Sequence, residues 1–270
     1  MLQAIVLGAA QGLTEFVPVS SSAHLVLLPF LFRWPIPSLA FDVAIHLGTL
    51  VALFVYFWTD LVRLVAGTAR TVGGRGDDED RVQGRLVLLL AVGTVPAGAA
   101  GILLRDFFEE LFESPTITAV ALLGTAALIV AAEAVYRRRT PERRRDVGGV
   151  GWWDAVVMGL FQALAITPGI SRSGSTIAGG LFRGLARDAA ARFSFLLSIP
   201  AILGAAVVAV PDVPPGTDWG PMLAAAGVAA IAGFAAIAFL LRYLRTRTML
   251  PFAAYCVALS AVSLTVIAAR

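Results

Sequence analysis

Residues 2–33 read LQAIVLGAAQGLTEFVPVSSSAHLVLLPFLFR, and this stretch decides the fold. Its first part, 2–17, is apolar and then breaks at Pro18 and Ser20-Ser21-Ser22, after which a short apolar piece covers 24–32. A helix needs about 20 apolar residues to cross a bilayer, so neither piece crosses alone. A broken segment survives in a membrane only where protein or a water-filled cavity satisfies its freed backbone groups. The reading is therefore a re-entrant helical hairpin. The signature recurs at 152–182, WWDAVVMGLFQALAITPGISRSGSTIAGGLF, where the apolar run 152–167 breaks at Pro168-Gly169 and resumes at 174–182.

Outward from these hairpins lie six longer apolar runs, 39–58, 86–104, 116–136, 193–210, 221–241 and 250–268. Hydrophobic residues make up 58% of the chain and charged residues only 14%, against about 25% charged in a soluble domain. The expected fold is an all-α polytopic membrane protein with two re-entrant hairpins and about six full transmembrane helices. The net charge of +3 carries no nucleic-acid signal, because every base is Arg and most Arg residues lie between apolar runs. The one cysteine, Cys256, excludes an internal disulfide and a Cys-based metal cluster. The first Arg is Arg33, so the N-terminus lacks the basic region of a cleaved secretory signal.

Charge between the runs sets the orientation. Arg137-Arg138-Arg139 and Arg143-Arg144-Arg145, the five Arg of 60–85, the trio Arg183, Arg187 and Arg192, and the trio Arg242, Arg245 and Arg247 belong inside. Residues 105–115 carry Asp106, Glu109, Glu110 and Glu113 against one Arg, and 211–220 carry two Asp and no Arg, so both belong outside. These signs agree only if hairpin 2–33 enters from outside and hairpin 152–182 from inside.

The halves also resemble each other. Gly8 and Gln11 match Gly159 and Gln162 at an offset of 151, at which Ser20 meets Ser171 and Ser22 meets Ser173. The matched loops 105–115 and 242–249 carry opposite charge, as an inverted-topology repeat requires. The expected division is 1–146 and 147–270, each a hairpin followed by three spans. In such folds the broken helices meet near the midplane, where binding sites form.

The candidate chemistry sits at the breaks. Gln11 and Glu15 are four apart and share a helix face. A carboxylate this deep costs on the order of 2.5–3.5 kcal/mol, so Glu15 must face a polar cavity or a cation. Its structural alternative is to cap the broken helix. A hard divalent cation such as Mg²⁺ or Ca²⁺ suits Glu15 with Gln11. Ser20, Ser21 and Ser22 precede His24. One serine is needed simply to cap a helix, and a serine beside a histidine also makes a nucleophile–base pair. In the second break, Arg172 offers a guanidinium fork to phosphate, with Ser171, Ser173, Gly174 and Thr176 at a helix start suited to anions. A structural pairing of Arg172 with Glu15 or Asp154 is the alternative. Asp42 and His46, four apart, are read as support for the site or as a helix-sealing pair, Asp154 as a cap, Glu133 as a partner of Arg137, and 77–80 as a solvated acidic loop.

The two motifs together resemble one family. QGLTEFVPVSSSAH resembles the (E/Q)-x-x-x-E block with Ser and His of the undecaprenyl-diphosphate phosphatase (bacitracin-resistance) family, and PGISRSGST resembles its P-G-x-S-R-S-G-x-T block. The likeness covers essentially the whole chain. Ala23 stands where many members have Gly, and the first acidic-motif position is Gln. The resemblance implies hydrolysis of undecaprenyl diphosphate to the monophosphate with a divalent metal, recycling the lipid carrier for peptidoglycan synthesis. It implies Gln11 and Glu15 as the acidic motif, Ser21 as nucleophile with His24 as its base or acid, and Arg172 as phosphate binder. The expected setting is the bacterial inner membrane, with the active site towards the periplasm. The expected partners are the polyprenyl diphosphate and the bilayer, with a homodimer as an option and no nucleic acid. The alternative from another class is a transporter or flippase for a phosphorylated polyprenyl lipid, since inverted repeats with midplane breaks are typical of transporters.

Overall fold

A computed structural model describes residues 1–270. The chain folds into twelve α-helices and no strands: α1 Leu2–Phe16, α2 Ser21–Phe32, α3 Leu39–Tyr56, α4 Trp58–Val72, α5 Asp78–Leu103, α6 Arg105–Phe112, α7 Pro115–Arg137, α8 Trp152–Leu164, α9 Arg172–Phe182, α10 Arg187–Ala209, α11 Trp219–Leu244 and α12 Leu250–Ala268. Six of them, α3, α5, α7, α10, α11 and α12, are long and apolar enough to cross a membrane. They match the six apolar runs of the sequence. This is the pattern of a multi-pass membrane protein, and apolar side chains such as Val120, Val130, Leu223, Ile231 and Phe239 lie exposed outside its core.

The helix starts follow local chemistry. Ser38 accepts from Phe41 N, Ser114 accepts from Ile117 N ahead of Pro115, and Asp77 forms a capping box with Asp80. Two loop expectations are corrected. Most of 60–85 is helical, because α4 is amphipathic and buries Leu64 and Gly67 while leaving Trp58, Val62, Val65 and Val72 exposed. Arg70 closes the α4–α5 turn with two hydrogen bonds to Asp80, an acid of the supposedly solvated 77–80 run. Residues 105–112 are α6, and Arg105 bridges Glu109 and Asp212.

Between membrane helices, water expulsion drives nothing, so small residues and close approach hold the bundle together. A Cβ on Gly8 of α1 would lie 2.4 Å from the Ala225 carbonyl oxygen of α11. A Cβ on Gly159 of α8 would lie 2.3 Å from the Gly93 carbonyl oxygen of α5. α1 thus beds on α11, and α8 on α5.

Two buried carboxylates, Asp154 and Glu133, tie further helices through arginines. Asp154 accepts from Arg145 and Arg183, and its Oδ2 also takes the Gly151 N–H, so it caps α8. Glu133 pairs with Arg187 across 54 residues and accepts from Met249 N, in place of the expected Arg137. The packing of α12 on α7 and the reach of Arg187 from the start of α10 override the i,i+4 neighbour.

Candidate active site

α1 stops at Phe16, and Val17 is extended. The chain then turns at Ser20, whose φ of +67° is left-handed and unfavourable for a residue with a Cβ. The Ser20 hydroxyl caps α2 by accepting from Ala23 N. This turn makes Ser21 the first residue of α2 and aims it back at α1. Its Oγ donates to Glu15 Oε2 at 2.5 Å, and Gln11 Nε2 donates to the same oxygen at 2.9 Å. The shared face of Gln11 and Glu15 is thus used as the spacing predicts.

The second break delivers the third partner. Arg172 opens α9, and its Nη2 donates to Glu15 Oε1 at 2.5 Å across 157 residues. Both side chains are largely buried, and Arg172 Nη1 has no acceptor. The breaks are also laced directly. Gly169 N donates to Ser22 Oγ at 3.2 Å, and Ser173 Oγ donates to the Val17 carbonyl at 3.2 Å. Gly169 has φ +94°, and a Cβ there would lie 2.2 Å from the Thr118 carbonyl oxygen, so a side chain fits neither the backbone nor the space.

Of these residues, Glu15, Ser21, Ser22 and Arg172 sit on a cavity of about 540 Å³, and Gln11 lies behind it. Its polar wall comprises Glu15, Ser20, Ser21, Ser22, Asp42, His46, Gln162 and Arg172. Its apolar wall comes from the later parts of α5 and α10, including Ala97, Ile102, Ala201, Ile202, Ala205 and Val208. One side thus offers charge and hydroxyls and the other offers hydrocarbon, which suits a charged head on an apolar chain.

Several expected site residues lie elsewhere. His24 is buried off the cavity, with Nδ1 2.7 Å from the Ser20 carbonyl and Nε2 2.7 Å from the Tyr255 hydroxyl. The group on the Ser21 hydroxyl is therefore Glu15, not His24. Ser171, Ser173, Gly174 and Thr176 do not reach the cavity either. Ser171 caps α9 through Gly174 N, Ser173 holds the Val17 carbonyl, and Thr176 bonds the Arg172 carbonyl and Ser194. A buried hydroxyl must find a partner, and here the helix start itself supplies it.

Other residues are present that sequence reasoning left aside or placed only as support. His46 Nδ1 lies 2.7 Å from the Asp42 carbonyl, and its Nε2 lies 3.9 Å from Glu15 Oε2. Gln162 is buried on the cavity wall with both amide atoms unpartnered. The signal for Gln162 was its match to Gln11. For a cation, no three His, Cys, Asp or Glu converge. The donors on offer are the Glu15 carboxylate and Gln11 Oε1, a buried acceptor that no donor reaches.

Comparison with known proteins places the chain in a family. Residues 4–262 match the family model described as bacitracin resistance protein BacA. The chain is 44% identical over 261 residues to an undecaprenyl-diphosphatase of Moorella thermoacetica, covering 97% of this chain and 95% of that one. It is 45% identical over 271 residues to an undecaprenyl-diphosphatase of Thermomicrobium roseum, covering 98% and 97%. It is 44% identical over 268 residues to undecaprenyl-diphosphatase 2 of Stutzerimonas stutzeri, again covering 98% and 97%.

Proposed function

The chain belongs to the bacitracin resistance protein BacA family, and we infer from that membership that it is a membrane phosphatase hydrolysing undecaprenyl diphosphate to undecaprenyl phosphate and inorganic phosphate. The monophosphate is the lipid carrier returned to cell-wall synthesis. One observation carries the reading to particular residues. The Glu15 carboxylate lies between the Ser21 hydroxyl and the Arg172 guanidinium, and Arg172 keeps one nitrogen without an acceptor.

Arg172 Nη1 takes an oxygen of the terminal phosphate, adding a charge-assisted hydrogen bond. Ser21 Oγ attacks the terminal phosphorus, and its proton passes to Glu15 Oε2, 2.5 Å away. The bond from that phosphorus to the bridging oxygen breaks, and undecaprenyl phosphate leaves with the electron pair. Water then attacks the phosphoserine, gives its proton up through Glu15, and releases phosphate with Ser21 restored. Ser20 and Ser22 line the cavity beside Ser21 and supply further hydroxyls to the phosphates. A divalent cation, Mg²⁺ or Ca²⁺, held by Glu15 and Gln11 would neutralise charge on the diphosphate.

The cavity opens on the outer, periplasmic side in this reading. Its lining includes Arg105, Glu109 and Phe112 of α6, within the acid-rich segment that charge assigns outside. The inverted repeat is part of the same proposal. Its support is the crossed packing of Gly8 on Ala225 and Gly159 on Gly93, in which the first helix of each half beds on the other half.

The test is phosphate release from undecaprenyl diphosphate by purified protein in detergent, where transport has no meaning. Wild type releases phosphate, Ser21→Ala does not, and quenched wild type carries phosphate on Ser21. Release by Ser21→Ala at the wild-type rate would remove the serine and leave water as the attacking group. No release by wild type with metal present would overturn the phosphatase reading in favour of a lipid transporter.

A further inference from the structure

We propose that Tyr255 is a positioning residue for the phosphatase reaction, acting through His24 on the strained Ser20 backbone that presents Ser21 to Glu15. The inference rests on the reading of Ser21 above.

Three observations carry it. First, both nitrogens of the His24 ring are engaged away from the cavity. Nδ1 faces a carbonyl, which only accepts, so Nδ1 carries the proton and donates to Ser20 O at 2.7 Å. Nε2 is then an acceptor, and the Tyr255 hydroxyl donates to it at 2.7 Å. The two rings are near-parallel, with an interplanar angle of 7°. Second, the carbonyl that His24 holds belongs to Ser20, one of two non-glycine residues with positive φ in the chain. Such a conformation persists only where its surroundings over-determine it. The next residue is Ser21, so rotation at Ser20 swings the hydroxyl away from Glu15. Third, α12 grips the same turn a second time, because Cys256 Sγ reaches the Pro18 carbonyl at 3.8 Å. Tyr255 is 45% exposed on a membrane helix, so its hydroxyl needs a protein partner. A side chain of the last span thus holds the first break in shape, and His24 serves as a fixed link with no proton transferred to substrate.

Variants chosen by which hydrogen bond survives test this. In His24→Asn the amide takes the place of Nδ1 and still donates to Ser20 O, but cannot titrate. In His24→Gln the amide reaches the place of Nε2 and loses Ser20. Expected are a kcat for His24→Asn within about tenfold of wild type, a larger loss for His24→Gln and His24→Ala, and an unchanged pH profile throughout. Tyr255→Phe is expected to lower kcat about 3–10-fold, the size of one hydrogen bond, with KM unchanged. The chain has only two histidines, so ¹⁵N-histidine spectra resolve both rings. His24 should hold the Nδ1–H tautomer, and its Nε2 resonance should move in Tyr255→Phe. Equal inactivity of His24→Asn and His24→Ala, with one limb of the pH profile lost, would make His24 the proton carrier and overturn the proposal. Wild-type kcat in Tyr255→Phe with an unmoved Nε2 resonance would overturn it too. Full activity of Ser21→Ala would instead sink the reading on which the proposal rests, while the resonances still decide whether the Tyr255–His24–Ser20 link exists.

Discussion

Replacing Glu15 by Gln removes one charge and keeps the shape, so it isolates what the carboxylate does. In the wild type Glu15 accepts from Gln11 at 2.9 Å and from Ser21 and Arg172 at 2.5 Å each. An amide has one acceptor and one donor end. With its oxygen on Arg172, its NH₂ meets the Gln11 NH₂, and Ser21 must turn its proton away in order to accept. With the amide reversed, NH₂ faces the guanidinium. Either way the bonds from Ser21 and Arg172 both lose their carboxylate acceptor, and Ser21 loses its proton acceptor. Hydrogen bonds to a charged group contribute about 1.5–3 kcal/mol each, so losing those from Ser21 and Arg172 amounts to about 3–6 kcal/mol. At about 1.36 kcal/mol per tenfold in rate, kcat should fall roughly 10²–10⁴-fold. The assay is steady-state phosphate release from undecaprenyl diphosphate, paired with thermal unfolding in the same detergent. Glu15→Asp, which keeps charge but retracts it by one methylene, serves where Glu15→Gln fails to fold, and it too should be slow. A folded Glu15→Gln protein with kcat within tenfold of wild type would refute the reasoning.

Arg172→Lys keeps charge but loses the fork that spans Glu15 and the phosphate, so KM should rise and kcat fall together, by at least tenfold in kcat/KM. Gly8→Ala and Gly159→Ala each drive a methyl against a backbone oxygen that cannot move aside; overpacking of this kind costs about 1–3 kcal/mol, read as a lower Tm in each single variant. Burial pushes the Asp154 carboxyl up, but the hydrogen bonds from Arg145, the Gly151 N–H and Arg183 outweigh it and hold the carboxyl below its ordinary value. A depressed carboxyl stabilises above its unfolded pKa of about 3.9 and loses that contribution as pH falls through the folded value. Wild type should therefore lose Tm more steeply than Asp154→Asn as pH falls below about 4, and parallel curves would discount the pair. Chelation with EDTA should lower phosphate release, and Mg²⁺ or Ca²⁺ should restore it; Gln11→Ala should need more metal for half-maximal rate.

The frame of the molecule was legible because its signals are local. Runs of about 20 apolar residues announce spans, and a proline with serines or a glycine inside such a run announces a break. What the sequence hides is direction. His24 and Ser21 are three apart, which reads as a nucleophile with its base, yet the left-handed Ser20 turns one towards the cavity and the other towards α12. Tyr255 carries no sequence signal, because its partner lies 231 residues away. The serines of 171–176 have the pattern of phosphate donors, but a buried helix start must satisfy its own groups first. α4 escaped because an apolar window averages over an amphipathic helix whose buried face is narrow.

The bond between Glu15 and Arg172 also has a consequence in time. Its partners are 157 residues apart, and ribosomes add roughly 5–20 residues per second. For roughly 8–30 s of each synthesis, Glu15 exists without the cation that balances it, next to helices meant for the bilayer. Its bed on α11 arrives later still. A carboxylate without its cation is favoured by hydration over hydrocarbon, so the segment around Glu15 is costly to bury until Arg172 has been made. The environment of Glu15 is thus completed late, by residues made in the second half of the chain.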